Sequence, residues 1–172
     1  MNVGLDLLPA RFDENGELID FVLPCRIMEE RGEIKVQYTR DEDGELIIDC
    51  ENMDCPFKKL DIIRGIMYTY CSIRGKVYED VIDGLDINDS LYNNHTNKQA
   101  AELLRKLEAK REIVEDDEKL IKTLKENEFI DWEESDPQKI PERLSFFRYL
   151  YYGLVNWLRL IVRLGIGFYA DF

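Results

Sequence analysis

The residues best suited to chemistry in this 172-residue chain are its four cysteines. Cys50 and Cys55 frame Glu51-Asn52-Met53-Asp54, a spacing within the range of zinc knuckles, and Cys25 lies upstream on a neighbouring β segment. Thiolates supplied in this way suit a tetrahedral zinc ion, so Cys25, Cys50 and Cys55 are the candidate metal ligands. Cys71 completes a four-thiol set only if residues 56–74 are not helical. In a helix rising 1.5 Å per residue, Cys71 stands about 24 Å along the axis from Cys55, too far to share an ion. Because 56–74 reads as a helix, buried free thiols are the default and no cofactor is expected, a structural zinc being the one alternative.

Other catalytic signals are sparse. The chain has no glycine-rich phosphate loop, nucleophile elbow or paired-histidine metal motif. Its single histidine, His95, sits in the polar run Asn93-Asn94-His95-Thr96 beside a helix start. General-base work needs a positioned partner, and that spacing supplies none, so His95 reads as a loop residue. Asp20 followed by Glu33-Ile34-Lys35 resembles the loose pattern of restriction-type nucleases, in which two carboxylates hold Mg²⁺ and a lysine assists. That resemblance implies a metal-dependent hydrolase. It spans three residues in a chain with 36 acids, and ordinary strand alternation also places Glu33 and Lys35 on a polar face. Two acidic runs fail a calcium loop: 86–97 has Leu91 sixth and Asn97 twelfth, and 41–52 has its glycine fourth and Asn52 twelfth, where the loop needs a sixth glycine and a closing glutamate.

Charge is the strongest bulk feature. The net charge is −13, distributed unevenly. Residues 139–172 carry five Lys/Arg and two Asp/Glu, leaving 18 basic and 34 acidic side chains in residues 1–138. That first portion repels a phosphate backbone and attracts a basic protein surface, which excludes direct nucleic-acid binding through it. The opening Met1-Asn2-Val3-Gly4-Leu5-Asp6 lacks the basic start and apolar run of a secretory signal. The uncharged stretch 149–158 falls short of the roughly 20 apolar residues of a spanning helix, and a cytoplasmic location is expected.

The elements that must carry these residues read as α+β. Three turn signals end in Gly16, Gly32 and Gly44, and the segments 17–23, 33–39 and 45–50 read as strands of an antiparallel meander. The stretches 13–19 and 41–47 share Asp-Glu-x-Gly-Glu-Leu-Ile, read as two uses of one turn solution. Beyond the helix expected at 56–74, residues 76–82 read as a strand and 83–97 as a polar loop. From Thr96, a helix capped by Thr96 or Asn97, with an interrupted heptad stripe, predicts a helical hairpin or a kink. Residues 131–141 read as an acidic connector and 141–164 as a final helix, with Pro141 at its first turn. The boundary at 95/96 separates a mainly β portion from a helical one, within one compact domain.

The final helix is the least ordinary element. Ser145, Arg148, Tyr152, Asn156, Arg159 and Arg163 share one narrow arc, and apolar residues cover the remaining circumference. Such a helix buries most of its surface: in its own core, in a membrane interface, or against a partner or second copy. The first is favoured, because a sheet needs an apolar cover and the arginines would meet the chain's own carboxylates. The fold expected is therefore an N-terminal antiparallel β meander followed by helices, with the C-terminal helix packed on the sheet or on a partner. The function expected is a non-catalytic acidic protein-binding or regulatory protein, acting as an inhibitor that shows phosphate-like charge to a basic nucleic-acid-binding protein. Asp41, Glu42, Asp43, Arg148, Trp157, Arg159 and Arg163 are its expected contact residues. The alternatives are a peripheral membrane or self-associating assembly subunit anchored by 141–164, and third the metal-dependent hydrolase.

Overall fold

The computed structural model describes residues 4–66, 70–127, 129 and 136–172. In chain order the elements are β1 (Asp6–Phe12), β2 (Leu18–Phe21), α1 (Pro24–Glu30), β3 (Tyr38–Arg40), β4 (Leu46–Ile48), β5 (Ile73–Arg74), α2 (Gly75–Gly84), α3 (Asn97–Glu108), α4 (Arg111–Glu115), α5 (Asp117–Glu126), α6 (Ile140–Arg163) and β6 (Gly167–Asp171). The class is α+β, as the sequence indicates.

The main sheet is organised by β1. One of its edges pairs with β6 from Asp6↔Asp171 to Ala10↔Gly167. The other edge is shared by β5, at Asp6 and Leu7, and β2, from Ala10 onward. Residues 6–10 are consecutively buried, the signature of a strand covered on both faces. The sheet thus joins both ends of the chain, and the boundary at 95/96 does not divide it. Strand β6 lies beyond the last expected element. Gly165, at φ +74°, ends α6 in the left-handed conformation and turns the chain back onto β1. Gly167 is required by contact: a Cβ there would lie 2.0 Å from the His95 carbonyl oxygen.

Helix α6 fills the core. Leu144, Phe147, Leu150, Tyr151, Leu154, Trp157, Leu158 and Ile161 are all buried, packed mainly against α3, α2 and β6. The Trp157 ring lies 5.5 Å from that of Phe168 on β6, and its Nε1–H donates to the Cys71 carbonyl at 2.9 Å. Tyr151 donates from its hydroxyl to the Leu107 carbonyl at 2.7 Å, tying α6 to the end of α3. The helix start at Thr96 is a capping box: the Thr96 side chain accepts from the Gln99 N–H, and the Gln99 side chain accepts from the Thr96 N–H. The interrupted heptad stripe becomes three helices, α3 to α5, rather than one.

Several expected elements are replaced. Gly32 caps α1 rather than turning a hairpin, with Gly32 N–H donating to the Glu29 carbonyl. Of the strand expected at 33–39, only its end enters β3, because the Val36 N–H donates to the Glu29 side chain at 3.0 Å instead of to a neighbouring strand. The helix expected at 56–74 does not form. The Arg64 guanidinium donates to the carbonyls of Phe57, Lys58, Leu60 and Tyr70, which satisfies backbone acceptors that a helix would have used. Part of that segment, residues 67–69, lies outside the described residues. The strand expected at 76–82 is α2, where Tyr78, Val81 and Ile82, with Leu85 capping its end, are buried at helical rather than alternating spacing. Of the connector at 131–141, residues 131–135 lie outside the described residues; Pro137–Lys139 form a 3₁₀ turn that leads into α6.

Candidate functional site

Two features gather side chains suited to recognition or chemistry: a cavity ringed by thiols and a pair of acidic hairpin tips. The cavity, of about 390 Å³, lies between the start of α1, the β3–β4 hairpin and the irregular segment that follows it. Cys25 comes from the first turn of α1, Cys50 from the 3₁₀ turn after β4, Cys55 from the next bend, and Cys71 from the approach to β5. All four line it, with Leu23, Met53 and Ile48 supplying apolar wall. Cys25, Cys55 and Cys71 are buried and Cys50 partly so; none is in a disulfide.

The sequence places Cys25, Cys50 and Cys55 together but excludes Cys71, and the structure corrects that exclusion. With no helix at 56–74, the 24 Å separation disappears and Cys71 joins the other three. Burial pushes the Cys25 thiol up to about 11, and the negative charges of Cys55 and Cys50 add to the rise. Burial likewise raises Cys50 and Cys71. Each of the four lies within electrostatic reach of the other three. Three cations oppose that trend: Arg26 acts on Cys25, Lys58 on Cys50 and Arg64 on Cys71. Among the described residues, no three His, Cys, Asp or Glu side chains as placed are arranged to hold an ion.

The acidic tips are built alike. At 13–17, Asp13 N–H donates to the Glu17 carbonyl, Gly16 N–H to the Asp13 carbonyl, and the Asn15 and Glu17 N–H groups to the Asp13 carboxylate. At 41–45 the same four bonds recur around Asp41, with Asp43 and Glu45 N–H groups on its carboxylate at 2.9 Å each. Gly16 and Gly44 take φ of +81° and +80°. One residue type thus folds each turn, leaving Glu14 and Glu17, or Glu42, Asp43 and Glu45, exposed and without an ion pair among the described residues. Asp41, named with Glu42 and Asp43 as a contact residue, is occupied by its own turn.

The remaining expected contact residues are engaged within the protein itself. Trp157 is fully buried, so it cannot face a partner. Arg148 pairs with Asp117 and donates to the Val114 carbonyl at 2.7 Å; Arg159 pairs with Glu108 at 3.0 Å, and Arg163 with Glu33. The carboxylates of the nuclease-like pattern are separately engaged, Asp20 by both nitrogens of an Arg11 fork and Glu33 by Arg163. His95 is buried, its Nδ1 2.7 Å from the Asn93 carbonyl and its Nε2 2.9 Å from the Asp89 carboxylate. Its backbone pairs with Phe168 in both directions and its ring stacks on the same residue at 4.4 Å. With both nitrogens facing acceptors, His95 offers no free base; it latches the 86–96 loop to β6. Sequence spacing conceals this because the Asp89 partner lies on the same irregular loop. No protein family, curated protein or solved structure matches this chain. No described helix is long and apolar enough to cross a membrane.

Proposed function

We propose that this is a non-catalytic protein that binds a basic surface of another protein through its acidic hairpin tips, as an inhibitor of a nucleic-acid-binding protein would. The observation that carries the reading is the duplication of the tip. Two separate hairpins place the same Asp-Glu-x-Gly-Glu turn in solvent, each with one aspartate folding the turn and the other acids free to face outward. A net charge of −13 supplies long-range attraction, which accelerates encounter with Lys/Arg-rich partners. Three of the four arginines of α6, Arg148, Arg159 and Arg163, pair with carboxylates of the protein itself and so offer no separate basic face. The same burial speaks for α6 as a core helix, since an anchoring role would require its apolar side chains to leave the core.

The test uses an arginine- and lysine-rich peptide as probe, at low and high salt, with duplex DNA as competitor. The variant Glu14→Gln, Glu17→Gln, Glu42→Gln, Asp43→Asn, Glu45→Gln removes tip charge and leaves Asp13 and Asp41 to fold the turns. Binding that weakens steeply with salt, competes with DNA and falls in the variant supports the proposal. Binding equally strong in the variant, or unmoved by salt, overturns it. Binding instead to anionic vesicles points to the peripheral-membrane alternative.

A further inference from the structure

We infer that the partner meets the two hairpins with aromatic side chains set among its Lys and Arg, the chemistry of a protein surface that binds single-stranded nucleic acid. This rests on the charge-based reading of the tips and names the kind of surface they fit. Of the ten large hydrophobic side chains exposed among the described residues, six sit on these hairpins: Leu18, Ile19 and Phe21 on β2, Tyr38 on β3, and Leu46 and Ile47 on β4. Single exposed apolar residues are ordinary on a protein surface, whereas grouped ones mark contact sites. The likeness of the tips also extends past the turn. In both, the acidic turn runs directly into Leu-Ile, and both residues of each pair are exposed, with Ile19 at 60% and Leu46 at 59%.

The two hairpins reach this exposure by different routes. On β2 the register across Arg11 and Phe12 passes from Asp20 to Leu18, so Ile19 is the extra residue of a bulge. On β4, neighbouring side chains point to opposite faces of a ribbon that, among the described residues, pairs with no other strand, and both Leu46 and Ile47 stay exposed. A hairpin that served only to show charge would carry polar residues at all four positions.

Charge selects the occupant of this surface. Residues 11–21 and 38–48 each hold four carboxylates and one arginine, a balance of −3. Arg11 is engaged by Asp20, and Arg40 donates to the Gly44 carbonyl at 2.7 Å. A second copy would set these acids against their like. An anionic membrane would repel them, since interfacial segments carry Lys and Arg beside their apolar residues. A surface whose apolar groups are bordered by Lys and Arg answers both features. Proteins that hold single-stranded nucleic acid have such surfaces, with aromatic rings on which bases stack and a basic groove that follows the phosphates. Against them the tip carboxylates take the place of phosphates, and the Leu-Ile pairs take the place of base faces. Duplex recognition rests mainly on hydrogen bonds to phosphates and groove edges, which four aliphatic side chains do not imitate.

The experiment uses the full chain and two synthetic peptides of equal Lys/Arg content, one interleaved with Trp and Tyr, the other with Ser at those positions. The aromatic peptide should bind roughly tenfold more tightly, the scale of a stacked ring. That ratio should persist at high salt while both affinities fall. The combined variant Leu18→Ser, Ile19→Ser, Leu46→Ser, Ile47→Ser should abolish the ratio and keep the salt dependence. Should the variant fail to fold, the ratio of the two peptides on the unmodified chain still decides. Equal affinity for the two peptides, or a ratio kept in the folded variant, overturns this inference and leaves the charge-based reading standing. Binding of neither peptide overturns both. A dimer of the unmodified chain, or its attachment to vesicles of anionic lipid, that the variant loses would also overturn it, by assigning the surface to a second copy or to a membrane.

Discussion

The hairpins at 13–17 and 41–45 have the same tip sequence and the same four hydrogen bonds, yet opposite fates. The first carries β1, the central strand of the main sheet, paired on both edges and buried on both faces. The second carries two strands of three residues that, among the described residues, pair only with each other and leave Tyr38, Leu46 and Ile47 exposed. Turn chemistry therefore fixes the turn and its register but not whether the arms enter a core. That depends on what the flanking residues can bury: 5–10 is Leu-Asp-Leu-Leu-Pro-Ala, whereas 38–40 is Tyr-Thr-Arg. The first hairpin is held by packing; the second, among the described residues, has its own pairing and the partial burial of Ile48.

The largest difference should appear when each arm is truncated. Leu7→Ala removes a fully buried side chain from the middle of the core and is expected to cost about 2–5 kcal/mol, enough to unfold much of a marginal domain. Ile47→Ala, on the second hairpin, should change stability by less than about 0.5 kcal/mol. Denaturant melts of the two variants test this, and similar costs would mean that the second hairpin belongs to the same cooperative unit.

The next effect separates the helix arginines. Arg148 is the most enclosed of the three that pair with distant carboxylates and also meets the Val114 carbonyl, so Arg148→Gln leaves a partly buried acceptor unmet. A loss of about 1–3 kcal/mol is expected. Arg159→Gln and Arg163→Gln break more exposed pairs and should each stay below about 1 kcal/mol. Thermal melts that rank Arg159 or Arg163 above Arg148 would show that packing around α6 is organised otherwise.

The contrast between hairpins also explains what could be read from sequence. The polar arc of α6, the Thr96 cap and both acidic turns are local patterns, and each stands where residue spacing put it. The segment 56–74 was opaque because its backbone is satisfied by one distant-acting side chain, Arg64, which no periodicity encodes. Helix α2 was hidden by β-branched composition, although Tyr78, Val81, Ile82 and Leu85 already had helical spacing. Strand β6 was unreadable for another reason: its partner lies at the opposite end of the chain, and only the pairing with β1 makes those five residues a strand. For the candidate sites, the tips were legible and the complete thiol set was not, since Cys71 could join only once the helix was gone.

A pH test probes the buried latch beside β6. Burial pushes the Asp89 carboxyl up, but the hydrogen bond and charge of His95, with help from the Ser90 N–H and Lys106, outweigh it and hold Asp89 below its ordinary value. A carboxyl depressed on folding contributes stability that is present above the unfolded range, near pH 4, and lost as pH falls through the folded value. Melting temperature should therefore drop more steeply on acidification in the unmodified protein than in Asp89→Asn, whose side chain no longer titrates. Parallel acid profiles would remove the Asp89–His95 pair from the stability of this region.

The smallest effect returns to the two tips and tests whether equal geometry means equal energy. Asp13→Ala and Asp41→Ala each remove the same two side-chain acceptors from the same two backbone N–H groups. Both turns are exposed, so water replaces the lost acceptor and the intrinsic cost should be within about 1 kcal/mol at either site. The readouts should nevertheless differ. At Asp13 the loosened turn is flanked by β1, whose pairing with β6 and β5 continues without it, so a small uniform loss in global stability is expected. At Asp41 the flanking strands have only each other, so global stability should hardly move while backbone amides of 38–48 exchange faster with solvent. Hydrogen exchange on both variants distinguishes these outcomes. Faster exchange confined to 38–48 in Asp41→Ala would identify the second hairpin as a separate local unit; equal global losses would show that it unfolds with the core.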